Sequence, residues 1–245
     1  MEDKALLSTE EASGAEKAEL LIVIPAYNEA ETIERVVNHL TANFPQYDYV
    51  VVNDGSRDET AAICQRNGYN LLNLPVNLGL AGAFQAGLKY ADKYGYQYAV
   101  QLDGDGQHRP EYLESMIKKM EEGYDIVIGS RFVGEKKPFT MRMLGSNLIE
   151  MAIRFTTGVN IKDPTSGMRM FSKRMIREFA SGLNYGPEPD TVSYLIRQGA
   201  RVAEVPVIMD ERILGVSYLT PVNAMRYMLK MLISILLIQN FRKRR

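Results

Sequence analysis

Apolar positions in this chain fall into short runs separated by stretches of helical spacing. Leu20 to Pro25 is an apolar run that stops at turn residues, the mark of a buried strand. Glu29 to Phe44 carries Ile33, Val36, Val37 and Leu40 at the spacing of one helical face. Tyr49 to Val52 and Asn70 to Leu74 read as a second and third strand. Ser56 and Glu59 form an S-x-x-E pattern, which predicts a helix starting just after Asp54-Gly55. Leu80 to Tyr94 reads as a helix whose Ala83, Ala86 and Gly87 suit close packing. Tyr98 to Leu102 is a fourth strand, Pro110 suits the first turn of a helix ending near Gly123, and Asp125 to Gly129 is a fifth strand. Beyond Arg131 the alternation fades. Met141 to Thr157, Glu188 to Gln198 and Pro221 to Phe241 read as helices, and Asp163 to Phe171 as a polar loop entering a strand. Arg201 to Ile208 reads as a strand that Pro206 places at an edge or a bulge.

This alternation predicts an α/β fold, a mostly parallel sheet with helices on both faces. Ligands of such sheets gather at the carboxyl ends of the strands. The polar clusters of the chain fall there: Tyr27-Asn28-Glu29, Asn53-Asp54-Gly55-Ser56, and Asp103 to His108. In the last, Asp103 and Asp105 are spaced i, i+2, which on an extended backbone aims both carboxylates to one side. Like charges held together are costly unless a cation sits between them. A hard divalent ion meets that need, and its coordination is commonly completed by substrate phosphates. Asp-Gly twice over is also a turn signal, and only the rest of the chain favours a metal clamp over a plain turn.

Bulk numbers add limits rather than answers. The chain has 245 residues, 46% of them apolar, and a net charge of −1. That is ordinary globular composition with no field favouring nucleic acid. The single Cys64 cannot form an intramolecular disulfide, and its helical surroundings suggest plain packing. Residues Met1 to Glu19 are polar and lack the apolar core of a signal peptide, so a flexible tail and a cytoplasmic location are expected. A catalytic domain over residues 20–220 and a basic, amphipathic helix over 221–245 would follow it.

The motifs, taken in order, resemble the family 2 glycosyltransferases of the GT-A fold. Within them the chain is similar to the dolichyl-phosphate mannose synthase group and its bacterial polyprenyl-phosphate relatives. The likeness runs from Leu20 to Leu219. It is carried by I-P-A-Y-N-E at Ile24 to Glu29, N-D-G-S-x-D-x-T at Asn53 to Thr60, N-x-G at Asn77 to Gly79, and D-G-D-G-Q-H at Asp103 to His108. G-S-R at Gly129 to Arg131, D-P-T-S-G-M-R at Asp163 to Arg169, E-V-P at Glu204 to Pro206, and R-x-x-G-x-S at Arg212 to Ser217 complete it.

The resemblance implies an inverting transfer of one sugar from a nucleoside-diphosphate sugar, with uridine or guanosine as base, to a polyprenyl phosphate. It places nucleotide binding at Pro25, Ala26, Tyr27, Glu29, Asp54, Asn77, Gly79 and Asp103. It places a magnesium or manganese ion on Asp103, Asp105 and Gln107; His108 reads as a solvent-facing or supporting residue ahead of a further ligand. The acceptor phosphate falls to Arg131, Arg142 and Ser146, the donor diphosphate to Arg212, and Arg169 to a structural place near Asp163. Asp103, Asp105, Arg131 and Arg212 are thereby the expected catalytic residues. The chain departs from the family in two places. Asn53 stands where a second carboxylate is usual, and Tyr218 where Lys is usual. The Q-x-x-R-W signature of processive synthases is missing, which favours single transfer.

A lipid phosphate is already anionic near neutral pH and needs cations, whereas a hydroxyl acceptor needs a base. For a hydroxyl of a capsule or wall glycan, Glu188 or Asp190 would be that base, unless they only cap a helix. A catalytically silent nucleotide-sugar-binding subunit is the alternative from another class. A dinucleotide oxidoreductase is disfavoured, because Pro25-Ala26-Tyr27 stands where G-x-G-x-x-G is expected. The charge-free run Met231 to Ile238 spans only about 12 Å as a helix, against a hydrocarbon core of about 30 Å. With Arg226, Lys230 and the closing Arg242-Lys243-Arg244-Arg245, it suits peripheral contact at the inner face of the cell membrane, a small membrane protein, or the protein's own core. A homo-oligomer is compatible with all of these.

Overall fold

Strand β1 (Leu20–Ala26) is buried along nearly its whole length, because its alternate side chains enter two different cores. Leu21 and Val23 pack on one side and Leu20, Ile22 and Ile24 on the other. Around it lie β2 (Asp48–Asn53), β3 (Leu71–Asn73), β4 (Tyr98–Gln101), β5 (Ile126–Ser130), β6 (Arg169–Ser172) and β7 (Val202–Pro206). They form one sheet in the order β3-β2-β1-β4-β6-β5-β7. These are the coordinates of a computed structural model, which describes residues 19–135, 137–138, 140–181, 186–210 and 221–241.

The helices are α1 (Ile33–Asn43), α2 (Thr60–Arg66), α3 (Gly79–Lys93), α4 (Leu113–Glu121), α5 (Met141–Thr157), α6 (Lys173–Ser181), α7 (Pro189–Arg197) and α8 (Pro221–Leu236). One face of the sheet carries α1, α2 and α4 through Val37, Cys64 and Met116. The other carries α3, α5, α6, α7 and α8 through Phe84, Ile149, Phe179, Val192 and Met231. The expected two-faced α/β layering is therefore present.

Several boundaries differ from expectation for local reasons. Helix α2 begins at Thr60, not after Gly55. The Ser56 hydroxyl instead accepts the Asn28 N–H at 3.0 Å, and Asp58 Oδ1 accepts the Thr60 N–H at 3.0 Å. The alternation fades after β5 because β6 runs antiparallel to both β4 and β5. Pro206 ends β7, the outermost strand, as its missing N–H predicts. Helix α6 is new. It docks by Phe179, whose ring meets those of Phe84 and Phe171 at centroid distances of 5.3 Å.

Gly87 shows how closely α3 lies on the sheet. A Cβ there would stand 2.2 Å from Val23 Cγ1, a branched core side chain with nowhere to go. Gly87→Ala is expected to destabilise the fold by about 1–3 kcal/mol through overpacking. The check is a lower urea midpoint with an unchanged slope.

Candidate active site

From β1 the chain passes to β2 on one side, while β4 pairs with β1 on the other. The crevice between the ends of β1 and β4 is thus a topological switch point, where open α/β sheets bind ligands. A cavity of about 490 Å³ lies there. Its walls include Pro25, Ala26, Tyr27, Glu29, Asp54, Asn77, Gly79 and Asp103, all eight residues expected from the sequence to meet a nucleotide. Asp105 is on the same wall.

Backbone groups of one loop are held by side chains of the next. The Glu29 N–H donates to Thr60 Oγ1 at 2.9 Å and the Ala30 N–H to Asp58 Oδ2 at 3.1 Å. Asp54 is buried and accepts the Leu78 N–H at 2.7 Å, fixing the turn that presents Asn77 and Gly79. Asn53, where the family favours a carboxylate, is used within the fold. Its Nδ2 donates to Asn73 Oδ1 at 2.6 Å and its Oδ1 accepts the Ser56 N–H at 3.3 Å.

At the end of β4, three contacts fix Asp103. Gln101 Nε2 donates to Asp103 Oδ1 at 2.9 Å, and the Asp103 N–H donates to His108 Nδ1 at 3.0 Å. An accepting Nδ1 puts the proton of a neutral ring on Nε2, which lies 3.8 Å from Asp103 Oδ2. His108 is buried, so it supports Asp103 from behind. Asp105 is buried too, and its Oδ1 accepts the Gln107 N–H at 3.0 Å. Gln107 turns away: its Nε2 donates to the Asp210 carbonyl at 3.2 Å, and it is not on the cavity wall.

The donor set fits a magnesium or manganese ion in part. Asp103 and Asp105 supply hard carboxylate oxygens on one cavity wall. Among the described residues, no group of three or more Asp, Glu, His or Cys could hold a metal alone. Two carboxylates completed by diphosphate oxygens and water are a common arrangement for these ions.

The expected acceptor residues are placed differently. Arg131 lines a separate cavity of about 480 Å³. Its Nε and Nη2 donate to the two oxygens of Asp163 at 2.7 and 2.8 Å. The Asp163 carboxylate is fully buried and also accepts the Arg131 N–H, which holds the guanidinium charged. Ser146 is fully buried in α5, and its hydroxyl finds no hydrogen-bond partner among the described residues. Of Arg142 only the backbone, in the first turn of α5, is described, and Arg212 and Ser217 lie outside the described residues. Arg169 is buried and ties three carbonyls, those of Pro164, Ser166 and Pro187, beneath the site, in line with the structural place expected for it. Asp190 joins α7 to the C-terminal helix, accepting from Ser234 Oγ at 2.6 Å and Gln239 Nε2 at 3.3 Å. Glu188 instead lines a further cavity, and burial, then the neighbouring Asp190, raises its carboxyl above the usual range.

Fold and site together define an α/β enzyme built around a carboxylate-flanked crevice at a sheet switch point. Residues 21–179 match the sequence model of Glycosyl transferase family 2. The chain is similar to the polyprenol monophosphomannose synthase of Mycolicibacterium smegmatis, 31% identical over stretches covering 86% of this chain and 84% of that protein. It is equally similar to the undecaprenyl-phosphate mannosyltransferase of Micrococcus luteus, at 31% identity covering 81% and 86%. The fold resembles that of glucosyl-3-phosphoglycerate synthase from Mycobacterium tuberculosis, solved with Mn2+, uridine diphosphate and glucosyl-3-phosphoglycerate. The TM-score is 0.64 at 20% identity, covering 92% of this chain and 81% of that one. The chain belongs to glycosyltransferase family 2, and it is a glycosyltransferase of the GT-A fold.

Proposed function

We propose that the enzyme moves one sugar, with inversion, from a nucleoside-diphosphate sugar to a polyprenyl phosphate at a membrane surface. The observation that carries this is the single cavity that gathers the strand-end residues around Asp103 and Asp105. The names of the two similar mannosyl-transferring proteins support the lipid acceptor.

In this reading the base and ribose lie among Pro25, Tyr27, Glu29 and Asp54, and the diphosphate reaches Asp103 and Asp105. A phosphate oxygen of the lipid attacks the anomeric carbon from the face opposite the diphosphate. The bond from that carbon to the diphosphate breaks, and its electron pair leaves with the nucleotide. The nucleophile is already anionic, so no base is required. A magnesium or manganese ion held by Asp103 and Asp105 would neutralise charge on the departing diphosphate. Gln101 and His108 keep Asp103 in place for that work. Arg131, compensated by Asp163, contributes through the loop it anchors more than as a free cation.

The helices beside the site support a membrane location. Helix α5 exposes Leu144, Leu148, Met151 and Phe155 along one stripe, and α8, which packs on it, exposes Met225, Leu229, Ile233 and Leu236. Among the described residues, no helix is long and apolar enough to cross a membrane. Two outward apolar stripes with a basic chain end suit reversible binding to an anionic bilayer. The sequence of α5 predicts a helix, and its packing against α8 decides which apolar face turns outward.

A hydroxyl acceptor would leave the base to Glu188, since Asp190 is taken up by α8. Incubation of radiolabelled nucleotide sugars with extracted membrane lipids separates the two. Label partitioning into the organic phase is the expected result. Label found only in water-soluble product contradicts the lipid acceptor.

A further inference from the structure

Beside the nucleotide cavity lies a second one of about 230 Å³, and Leu80 is on the wall of both. Gln101, Thr165, Gly167, Glu188 and Tyr227 contribute to its walls. It adjoins the metal-facing carboxylate closely. A Cβ on Gly167 would stand 3.1 Å from His108 Cε1 and 3.2 Å from Asp103 Oδ2, so this loop lies close against Asp103. A sugar joined to a diphosphate at Asp103 therefore has this cavity as its neighbour.

Gln101 is the unusual member of that wall. It is 1% exposed at the end of β4. Its Nε2 donates to Asp103, while its Oε1 has no hydrogen-bond partner among the described residues. A buried amide oxygen without a donor is costly, and native folds seldom tolerate one that nothing satisfies. A hydroxyl entering the cavity would supply the missing donor. A hexose brings several such hydroxyls, with a ring that suits the apolar Tyr227 and Met228 of the same wall. Glu188, whose carboxyl is biased by burial towards its protonated form, offers a second polar contact for the same ring.

We propose that Gln101 is a specificity-determining residue, whose Oε1 accepts a hydrogen bond from a hydroxyl of the transferred sugar while its Nε2 positions Asp103. This rests on the nucleotide-sugar reading above. A residue at the last position of a strand, placed in this way, would link sugar identity to metal-site geometry. The correct hydroxyl locks the amide that holds Asp103, and a sugar lacking it leaves the oxygen unpaired. Sites built around a hydroxyl discriminate strongly against analogues that lack it.

The test is calorimetry with manganese. UDP, GDP, UDP-glucose, UDP-N-acetylglucosamine and GDP-mannose are titrated first. The monodeoxy forms of the tightest-binding sugar donor follow, on wild type, Gln101→Met and Gln101→Glu. One monodeoxy form is expected to bind wild type about tenfold more weakly than its parent, the size of one neutral hydrogen bond. That penalty should vanish in Gln101→Met and survive at least in part in Gln101→Glu, which keeps an oxygen at the position. The proposal is overturned if no monodeoxy form is penalised in wild type, or if the penalty is unchanged in Gln101→Met. Failure of wild type to bind either UDP or GDP would instead overturn the nucleotide-sugar reading beneath it.

Discussion

Asp105→Asn is expected to lower sugar transfer about a thousandfold while leaving the fold intact. The amide is isosteric and can still accept the Gln107 N–H that Asp105 Oδ1 holds at 3.0 Å. What it loses is one of the paired anionic donors, Asp103 and Asp105, on the cavity wall. Help to the departing group from a bound cation is worth several kcal/mol, and each 1.36 kcal/mol is about tenfold in rate. A loss of about 4 kcal/mol gives the thousandfold figure. The deficit should lie in kcat and kcat/KM together, the mark of an interaction that strengthens in the transition state. Excess manganese should recover only part of it. Near wild-type turnover would remove Asp105 from the proposed machinery.

Asp163→Asn is expected to give the largest loss of stability, about 3 kcal/mol. The carboxylate is fully buried and pairs with both forks of Arg131, while Glu204 holds the Asp163 N–H at 2.8 Å. Removing one member of such a pair leaves a partly buried guanidinium uncompensated, which costs far more than the pair contributes. The double variant Asp163→Asn with Arg131→Met should therefore be more stable than Asp163→Asn alone. Urea midpoints of wild type, Asp163→Asn, Arg131→Met and the double variant give the coupling directly. If Asp163→Asn unfolds at the wild-type midpoint, the pair does not anchor this loop.

The strand-end chemistry was legible because it is local. A buried strand that ends in polar residues announces a carboxyl-end cluster, and Pro25, Ala26, Tyr27, Glu29, Asp54, Asn77 and Gly79 share one cavity wall. The spacing of Asp103 and Asp105 reads equally as a turn, and only the other motifs of the chain single the pair out as a candidate clamp. What escaped depends on partners distant in sequence. Nothing near Arg131 shows that Asp163, 32 positions on, will take both its forks. Ser56 carries a capping pattern, but Asn28 claims its hydroxyl across 28 positions. Helix α6 was hidden because its nine residues, Lys173–Ser181, are mostly polar, and only Met175, Ile176 and Phe179 are buried. Gln101 read as one more strand residue. Its signal is a polar side chain near the end of an otherwise apolar run, two positions before the first of the paired carboxylates.

Binding of a nucleoside diphosphate with and without metal bears most directly on the central claim, that Asp103 and Asp105 clamp the donor through a divalent ion. Calorimetric titration of UDP and GDP should show at least about tenfold tighter binding of one of them in manganese than in EDTA, about 1.4 kcal/mol. That gain should disappear in the variant carrying both Asp103→Ala and Asp105→Ala. Equal affinity in manganese and EDTA, or a metal-dependent gain that persists in the double variant, would contradict it.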